Sequence, residues 1–152
     1  MAGTSIDFEI DDRQVRQTLD RLIQAGVDLT DPMREIGEIL LQHTQERFAR
    51  GNSPAGVPWA PLDAKYRRSK RKRKSRGADA ILVLDDELRG GLAYDSGADW
   101  VELGSNRIYA ATHQFGAPDR GIPRRPFLGF SADDHLAIEE ILAKYLAEAA
   151  GR

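Results

Sequence analysis

Residues 109–131 read YAATHQFGAPDRGIPRRPFLGFS, a dense mixture of aromatic, glycine and proline residues. The pattern predicts a short helix over residues 107–115 that ends at Gly116 and leads into a proline-rich connection. Ser131, with Asp134 three residues later, resembles a capping arrangement and predicts the start of a final helix. The apolar stripe of that helix is formed by Leu136, Ile138, Ile141, Leu142, Tyr145 and Leu146.

A β-hairpin is predicted immediately before this region. Residues 92–94 and 100–103 are strand-like and flank the turn sequence DSGAD at 95–99. Acidic residues at 85–87 and 133–134 each lie beside a predicted helix start. The helix dipole favours negative charge there, so these carboxylates need no catalytic explanation.

The N-terminal third predicts a strand and two helices. Residues 5–10 alternate apolar and acidic side chains, as in a strand with one buried face. Asp11 or Asp12 can cap the first helix, for which Gly26 is a plausible stop. Asp31, followed by proline, predicts the N-cap of the second helix. The expected buried stripes are Val15, Leu19, Leu22 and Ile23 in the first helix, and Met33, Ile36, Leu40, Leu41, Thr44 and Phe48 in the second.

These elements together predict an α+β fold. A small antiparallel sheet with a β-hairpin is packed by three main helices on one face. Residues 51–58 form a loop, after which Trp59 and Leu62 enter the core. At 152 residues the chain is expected to form a single domain over 1–152 that buries about two thirds of its unfolded surface.

Composition favours a soluble protein without disulfides or a thiol site. Charged residues make up 30% of the chain and hydrophobic residues 41%, and there is no cysteine. The longest apolar run, residues 80–84, is far shorter than a membrane span requires. The N-terminus lacks the pattern of a signal peptide, so synthesis in a cytoplasm is expected.

Charge is distributed unevenly along the chain. Residues 65–76 hold nine basic and no acidic residues, whereas the remainder holds 13 basic and 24 acidic residues. With no apolar face after Tyr66, this segment is predicted to be an exposed, extended arm or a poorly ordered loop. Its role stays open among a solvated arm, a contact with an acidic protein surface and a contact with the DNA backbone. The basic residues are Lys65, Arg67, Arg68, Lys70, Arg71, Lys72, Arg73, Lys74 and Arg76.

No catalytic, metal or cofactor motif is present in the sequence. His43, His113 and His135 are far apart and lack metal-ligand spacing. Ser131 does not lie in a nucleophile elbow, and residues 51–56 lack the lysine of a phosphate-binding loop. A hydrogen-bonded structural role is favoured over catalysis for His113, which a helix would place one turn from Tyr109. We therefore expect a protein that is not an enzyme and needs no metal or cofactor.

The proline-rich segment 123–129 has two open interpretations. Its prolines favour an extended backbone from which Arg124 and Arg125 project. Phe127 and Leu128 either plug the core at the start of the last helix or contact another subunit. Trp59 is expected in the core rather than at an interface.

Several of these motifs resemble, in order and spacing, the phage virion morphogenesis (tail completion) family of Mu-like and related tailed phages. The similar stretches are YA at 109–110, HQFG at 113–116, IPRRPFLG at 122–129, PAGVPWAPL at 54–62 and residues 81–92. The similarity extends from about residue 48 to residue 131. The family-like residues, considered as subunit contacts, are Trp59, Tyr109, His113, Phe115, Gly116, Pro123, Arg124, Arg125, Pro126, Phe127 and Leu128.

The resemblance implies a structural protein of tail completion or head–tail joining. It further implies a ring around the DNA channel, with a hexamer favoured and a dodecamer as the alternative. The expected partners are further copies of the chain, other neck and tail proteins and, through the basic arm, the DNA backbone, without a membrane. The expected location is the neck or tail end of the virion. The rival hypothesis is an independent, non-sequence-specific DNA-binding protein acting through residues 65–76.

Overall fold

The computed structural model describes residues 12–72, 81–82 and 87–151. The strand predicted over residues 5–10 lies outside these ranges. The elements in chain order are α1 (Arg13–Gln24), α2 (Thr30–Arg50), α3 (Ala64–Lys72), α4 (Glu87–Gly90), β1 (Leu92–Ser96), β2 (Val101–Ser105), α5 (Ala110–Phe115), a 3-10 turn (Pro118–Arg120) and α6 (Ala132–Ala150).

Helix α1 begins where the sequence predicts. The Asp12 carboxylate accepts hydrogen bonds from the backbone N–H groups of Gln14 (2.9 Å) and Val15 (3.3 Å), which confirms it as the N-cap. The helix ends two residues before Gly26. Ile23 was wrongly assigned to the buried stripe: its side chain is 61% exposed, because the helix faces the core through Val15 and Leu22.

Helix α2 is the central element of the fold and begins earlier than predicted. Asp31 is not its N-cap, since the helix already includes Thr30. The Asp28 carboxylate instead accepts a hydrogen bond from the Thr30 backbone N–H at 3.0 Å. Asp28 lies four residues before Pro32, the proline on which the N-cap prediction depended. The predicted stripe is confirmed, with Leu41 only partly buried.

The hairpin is confirmed with strands slightly longer than predicted. Strands β1 and β2 are antiparallel, with Leu92 opposite Ser105 and Ser96 opposite Val101. Both strands pack on α2. The Tyr94 ring lies directly against Gly37, where any added Cβ would come within 2.2 Å of a ring carbon. Glycine at this position therefore lets the strand approach the helix closely.

Helix α6 starts with the predicted capping box. The Asp134 backbone N–H donates to the Ser131 hydroxyl oxygen (3.0 Å), and the Ser131 N–H donates to the Asp134 carboxylate (2.8 Å). Ile138 and Leu142 are buried, as predicted. Leu136 is 57% exposed, so its assignment to the buried stripe was wrong.

Two clusters of apolar side chains form the core around α2. The first joins α1, the N-terminal half of α2 and α6 through Val15, Leu22, Leu29, Met33, Ile36, Leu40, Ile138 and Leu142. The second lies around the C-terminal end of α2 and contains Phe48, Trp59, Leu88, Leu92, Ala110, Phe127 and Leu128. Helix α6 packs on both α1 and α2. This arrangement confirms a small α+β fold with an antiparallel hairpin.

Candidate functional site

The proline-rich segment is held in place by a buried glutamine. The Gln114 side-chain oxygen accepts hydrogen bonds from the backbone N–H groups of Phe127 and Leu128, both at 3.0 Å. Its amide nitrogen donates to the Leu128 carbonyl at 3.0 Å. Gln114 therefore satisfies three backbone groups that the extended segment cannot pair in a sheet.

Two further side chains connect the same segment to the loop after Trp59. The Trp59 indole donates to the Pro126 carbonyl at 2.7 Å. In the opposite direction, the Arg125 guanidinium donates to the carbonyls of Ala60 (2.8 Å) and Pro61 (3.0 Å). These reciprocal bonds join two stretches that are more than 60 residues apart in the chain. The two family-like motifs around Trp59 and Pro126 therefore form one structural unit.

A buried ionic cluster fixes the end of the segment. Asp134 is fully buried and contacts the Arg47 guanidinium, while its other carboxylate oxygen lies 2.7 Å from Nδ1 of His43. Arg47 also donates to the carbonyls of Phe127 (3.0 Å) and Gly129 (3.1 Å). Hydrogen bonds on several sides stabilise a buried charge that water can no longer solvate. Sequence reasoning identified only the capping role of Asp134.

The structure decides between the two interpretations of residues 123–129. Phe127 and Leu128 are buried in the second cluster, and the Phe127 ring lies 5.5 Å from that of Phe48. Trp59 is also core, as expected, and packs edge-on against Phe48 at 5.5 Å. Phe127 and Leu128 therefore plug the core, and the surface they were proposed to offer to a subunit is absent.

The expectation that Arg125 projects from the segment was wrong. Arg125 is only 6% exposed, because its guanidinium turns inward to the two carbonyls of the Trp59 loop. Arg124 and Pro123 are exposed, and Pro126 is half-buried. Phe115 projects into solvent with 57% of its surface exposed. Of the family-like residues, Phe115, Pro123 and Arg124 are exposed, whereas Tyr109, His113, Gly116 and Pro126 are partly buried.

Gly116 ends α5 and lets two backbone segments meet. Its φ of +78° lies in a region that side chains disfavour. A Cβ there would also approach the backbone nitrogen of Arg124 to 2.9 Å. This contact explains why glycine follows the HQF sequence and confirms the predicted end of the helix.

Tyr109, the residue before α5, and His113 within the helix lie one turn apart, as predicted, although the helix begins at Ala110 rather than at residue 107. Their rings meet edge-on with centroids 6.1 Å apart. The predicted hydrogen bond is not seen at Nδ1 of His113, which is buried and has no partner within the described ranges. Burial lowers the pKa of the imidazole below its ordinary value of 6.5, and the nearby Arg125 charge lowers it further. His113 is therefore a neutral side chain at pH 7.

Acidification is expected to destabilise the protein through His113. The unfolded chain takes up a proton near pH 6.5, while the native imidazole does so only at lower pH. The unfolded state then binds more protons than the native state, so stability falls as pH drops below about 6.5. Thermal melts from about pH 7.5 to 5.5 should show a larger fall in Tm for the natural protein than for His113→Gln. Equal falls would contradict this assignment.

The basic segment is helical where it is described, so the prediction of an extended or poorly ordered arm was wrong for residues 65–72. The Asp63 carboxylate accepts from the backbone N–H groups of Lys65 (2.9 Å) and Tyr66 (3.1 Å) and caps α3. Lys70 is only 2% exposed and places its ammonium 5.8 Å from the Tyr66 ring centroid. The exposed cations of this helix are Lys65, Arg67, Arg68, Arg71 and Lys72. Arg73, Lys74 and Arg76 lie outside the described residues.

A cavity of about 960 Å³ lies between α3, α5 and the connection after the 3-10 turn. We call it the aromatic–basic cavity because of the side chains that line it. Its walls include Tyr66, Tyr109, Lys70, Arg120 and Arg125, together with apolar Leu62, Leu82, Leu88 and Ile122. Among the described residues that line the cavity, Asp63 is the acidic one. Lys70 and Arg125 are buried, so Arg120 is the exposed cation among the described lining residues.

The described residues contain neither a cluster of metal ligands nor a membrane-spanning helix. In these parts of the chain, no group of three or more His, Asp or Glu side chains is arranged to hold a metal ion. None of the helices in the same ranges is long and apolar enough to cross a membrane.

Comparison with known proteins identifies the family. The profile of the phage virion morphogenesis family matches residues 10–147, and the chain therefore belongs to this family. The matched residues include the hydrogen-bonded pair Trp59 and Pro126, the buried Gln114 and the ion pair of Arg47 with Asp134.

Individual relatives are similar over most of their length. The chain is 29% identical over 151 residues to the putative capsid assembly protein G of Escherichia phage Mu, covering 95% of this chain and 96% of the Mu protein. It is 30% identical over 146 residues to the Mu-like prophage FluMu G protein 2 of Haemophilus influenzae, covering 92% and 95% of the two chains. The tail completion protein S of Escherichia phage P2 is 29% identical over 120 residues, or 74% of this chain and 80% of the P2 protein. No solved structure matches the chain significantly.

Proposed function

We propose that this protein is a structural subunit that acts at tail completion or head–tail joining, as a ring-forming neck or tail-terminal component around the DNA channel. The observation that carries the proposal is the family match, which spans residues 10–147. It is supported by the P2 relative, whose name is tail completion protein S, and by the Mu relative, whose name is putative capsid assembly protein G. The proposed role requires no catalysis, metal or cofactor.

The internal construction of the chain suits such a role. The backbone around residues 125–129 is fixed by hydrogen bonds that involve the side chains of Gln114, Arg47 and Arg125. A backbone held this way presents its surface loops in one geometry, which reduces the entropy lost on assembly. We favour a hexameric ring, with a dodecamer as the alternative, bound to other neck and tail proteins. We place the finished protein at the neck or tail end of the virion, after synthesis in the bacterial cytoplasm.

Helix α3 is proposed to meet a negatively charged partner. Five exposed cations on a helix that is capped and anchored form a positively charged surface. In a ring this surface would face either the DNA in the lumen or an acidic surface of an adjoining ring. Charge complementarity of this kind mainly sets the rate and specificity of encounter.

The second candidate function, favoured by the same five cations, is a non-sequence-specific DNA-binding protein. Such a protein would neutralise backbone phosphates, so its affinity would fall steeply as the salt concentration rises. It would also lose nearly all affinity when the basic residues of α3 are neutralised. An assembly subunit would keep its oligomeric state under the same substitutions.

Electron microscopy of lysates tests the proposed function. The gene for this chain is deleted from the source phage, and lysates are compared with and without complementation. We expect DNA-filled heads separated from tails, or tails of abnormal length, and rescue by the complementing gene.

The decisive control is the yield of infectious particles from the same lysates. Normal virions at normal yield would refute the morphogenesis role and move the DNA-binding function to first place. A complementing gene with Lys65, Arg67 and Arg68 changed to glutamine then shows whether α3 is needed for assembly. Glutamine at three other exposed arginines, Arg13, Arg21 and Arg50, controls for the loss of three positive charges.

A further inference from the structure

Helix α3 carries its positive charges on one face. Five of its nine residues are exposed cations, and none of the nine is acidic. At about 100° per residue, the five side chains fall within an arc of about 160° around the helix. The other side contains Tyr66, Ser69 and Lys70, of which Ser69 is half-buried and Lys70 is buried. The cations of the exposed side, which we call the α3 basic face, are Lys65, Arg67, Arg68, Arg71 and Lys72.

Carboxylates of the described residues leave most of this charge unneutralised. In the part of the chain that the structure describes, Lys65, Arg67 and Lys72 form no ion pair. The Arg68 guanidinium donates from Nε to the Ala64 carbonyl at 3.4 Å, which uses one of its five N–H groups. Positive charge is therefore available to a partner along the length of the helix.

The α3 basic face is attached firmly to the rest of the fold. Asp63 caps the first turn of the helix, and the Lys70 side chain is buried on its inner side. Just before the helix, the carbonyls of Ala60 and Pro61 accept hydrogen bonds from the Arg125 guanidinium. Cations on an ordered helix lose less conformational entropy on binding than cations on a flexible arm.

The composition of the face favours nucleic acid over an acidic protein surface. Protein–protein interfaces have a more apolar core, from which charged residues, including lysine, are depleted. Within the arc of the α3 basic face the uncharged residue is Ala64, so the face lacks a large apolar side chain that could anchor a protein. Protein–DNA interfaces are more polar and much more positively charged. The face therefore has the composition of a DNA contact.

The same composition predicts contact with the backbone of a duplex and not with bases. Proteins that bind single strands use aromatic side chains on which the bases stack. The aromatic residue of α3, Tyr66, lies outside the arc of the basic face, with Nζ of Lys70 5.8 Å from its ring centroid. Lys65 and Lys72 are about 10 Å apart along the helix axis, a length over which duplex DNA carries about six charges. The five cations thus match the charge density of a duplex.

We propose that the α3 basic face binds the phosphate backbone of duplex DNA without reading its sequence. Each cation that neutralises a phosphate releases counterions condensed on the DNA, and this release drives binding. The inference rests on the proposed function for the place of the contact, because a ring around the DNA channel brings the α3 basic face of every copy to the same duplex. It assigns to α3 a partner of defined chemistry.

The salt dependence of DNA binding tests the contact. The face variant carries Lys65→Gln, Arg67→Gln and Arg68→Gln, and fluorescence anisotropy of a short labelled duplex measures its association constant as full-length protein. Over about 50–200 mM salt, loss of three phosphate contacts should make the slope of log K against log salt concentration shallower by about 2–3. At about 100 mM salt, binding should weaken by at least on the order of tenfold.

A matched variant separates the face from the overall charge of the protein. Glutamine at Arg13, Arg21 and Arg50 removes three exposed positive charges from α1 and α2. Because salt screens charges that do not touch the DNA, this variant should keep its affinity within about threefold. Equal losses from the two variants, or an unchanged slope in the face variant, would overturn the inference. Should the face variant melt far below the natural protein, Arg67→Gln alone replaces it, with an expected change in slope of about 1.

Competition experiments identify the class of partner. Unlabelled duplexes of unrelated sequence should compete equally, since phosphate contacts carry no sequence information. Polyglutamate carries about one charge per 3.5 Å when extended, against one per 1.7 Å for duplex DNA, so it should compete at least on the order of tenfold less well at equal charge. Equal competition by polyglutamate would assign the face to an acidic protein surface and overturn the inference.

Failure of this inference can be distinguished from failure of the proposed function. A natural protein that does not bind duplex DNA, or that prefers one sequence strongly, would overturn the assignment of the α3 basic face. The lysates from the gene deletion would be unaffected by that result, because they report the need for the whole protein in morphogenesis. Normal virions from the deletion would refute the morphogenesis role and leave the measured DNA affinity unchanged.

Discussion

Replacing Arg47 with methionine is expected to lower the free energy of unfolding by about 3–5 kcal/mol, the loss that follows removal of one partner from a buried ion pair. Asp134 is fully buried, and without the guanidinium its carboxylate would keep His43 and the Ser131 backbone N–H as its described partners. The carbonyls of Phe127 and Gly129 would lose a donor in the same step. Both penalties arise because water cannot reach the site to replace the lost bonds.

Urea or guanidinium denaturation measures this change against a matched surface variant. Arg34 pairs with Asp31 at 3.0 Å, but both side chains are more than half exposed. Arg34→Met should therefore change the free energy of unfolding by less than about 0.5 kcal/mol. Similar losses from Arg47→Met and Arg34→Met would show that the cluster around Asp134 does not stabilise the fold.

Phe127→Ala is expected to cost about 3–5 kcal/mol, because it empties a fully enclosed site in the second core cluster. The Phe127 ring is 0% exposed and packs against Phe48 at 5.5 Å between ring centroids. The backbone of the same residue is held by Gln114, so the segment cannot easily collapse into the space. The protein should unfold at a much lower temperature and denaturant concentration.

Phe115 provides the same chemical change at the surface. Its side chain is 57% exposed, so Phe115→Ala should leave the free energy of unfolding nearly unchanged. The pair also separates the two roles once considered for the family-like segment. If Phe127→Ala left stability intact while blocking oligomerisation, the assignment of Phe127 to the core would be wrong.

Local signals in the sequence predicted most of the elements. The capping residues Asp12 and Ser131 mark helix starts that the structure confirms. The spacing from Met33 to Phe48 predicted the buried face of α2, and the turn-forming DSGAD sequence predicted the hairpin. Each signal acts over a few residues, through a hydrogen bond to a neighbouring backbone group or through helical periodicity.

The errors occurred where a local pattern was compatible with more than one environment. Ile23 and Leu136 fit the periodicity of their helices, but they lie outside the buried faces that Leu22 and Ile138 mark. Residues 65–72 were predicted to be an exposed arm because they lack an apolar face after Tyr66, but the contacts that hold them are not those of an apolar stripe. A buried lysine beside Tyr66 and a capping Asp63 hold this helix in place of an apolar stripe.

The candidate site was located by its motifs, but its internal organisation was not predictable. The glycine- and proline-rich stretch 109–131 identified the region and the family. The inward orientation of Arg125 could not be inferred, because its acceptors are carbonyls more than 60 residues away. No local pattern distinguishes an arginine that projects into solvent from one that pairs with distant backbone groups.

The linear chain contains the helix caps, the periodicity, the hairpin and the family motifs, since these depend on residues close together in sequence. The pairing of Arg47 with Asp134 and the reciprocal bonds between Trp59, Pro126 and Arg125 arise only when the elements pack. The same is true of the aromatic–basic cavity, whose walls come from residues 61–70, from Leu82 and Leu88, and from residues 109–125. Contacts between residues so far apart in the chain form only when the helices and the hairpin pack together. They depend on the arrangement of all the elements and not on the local sequence.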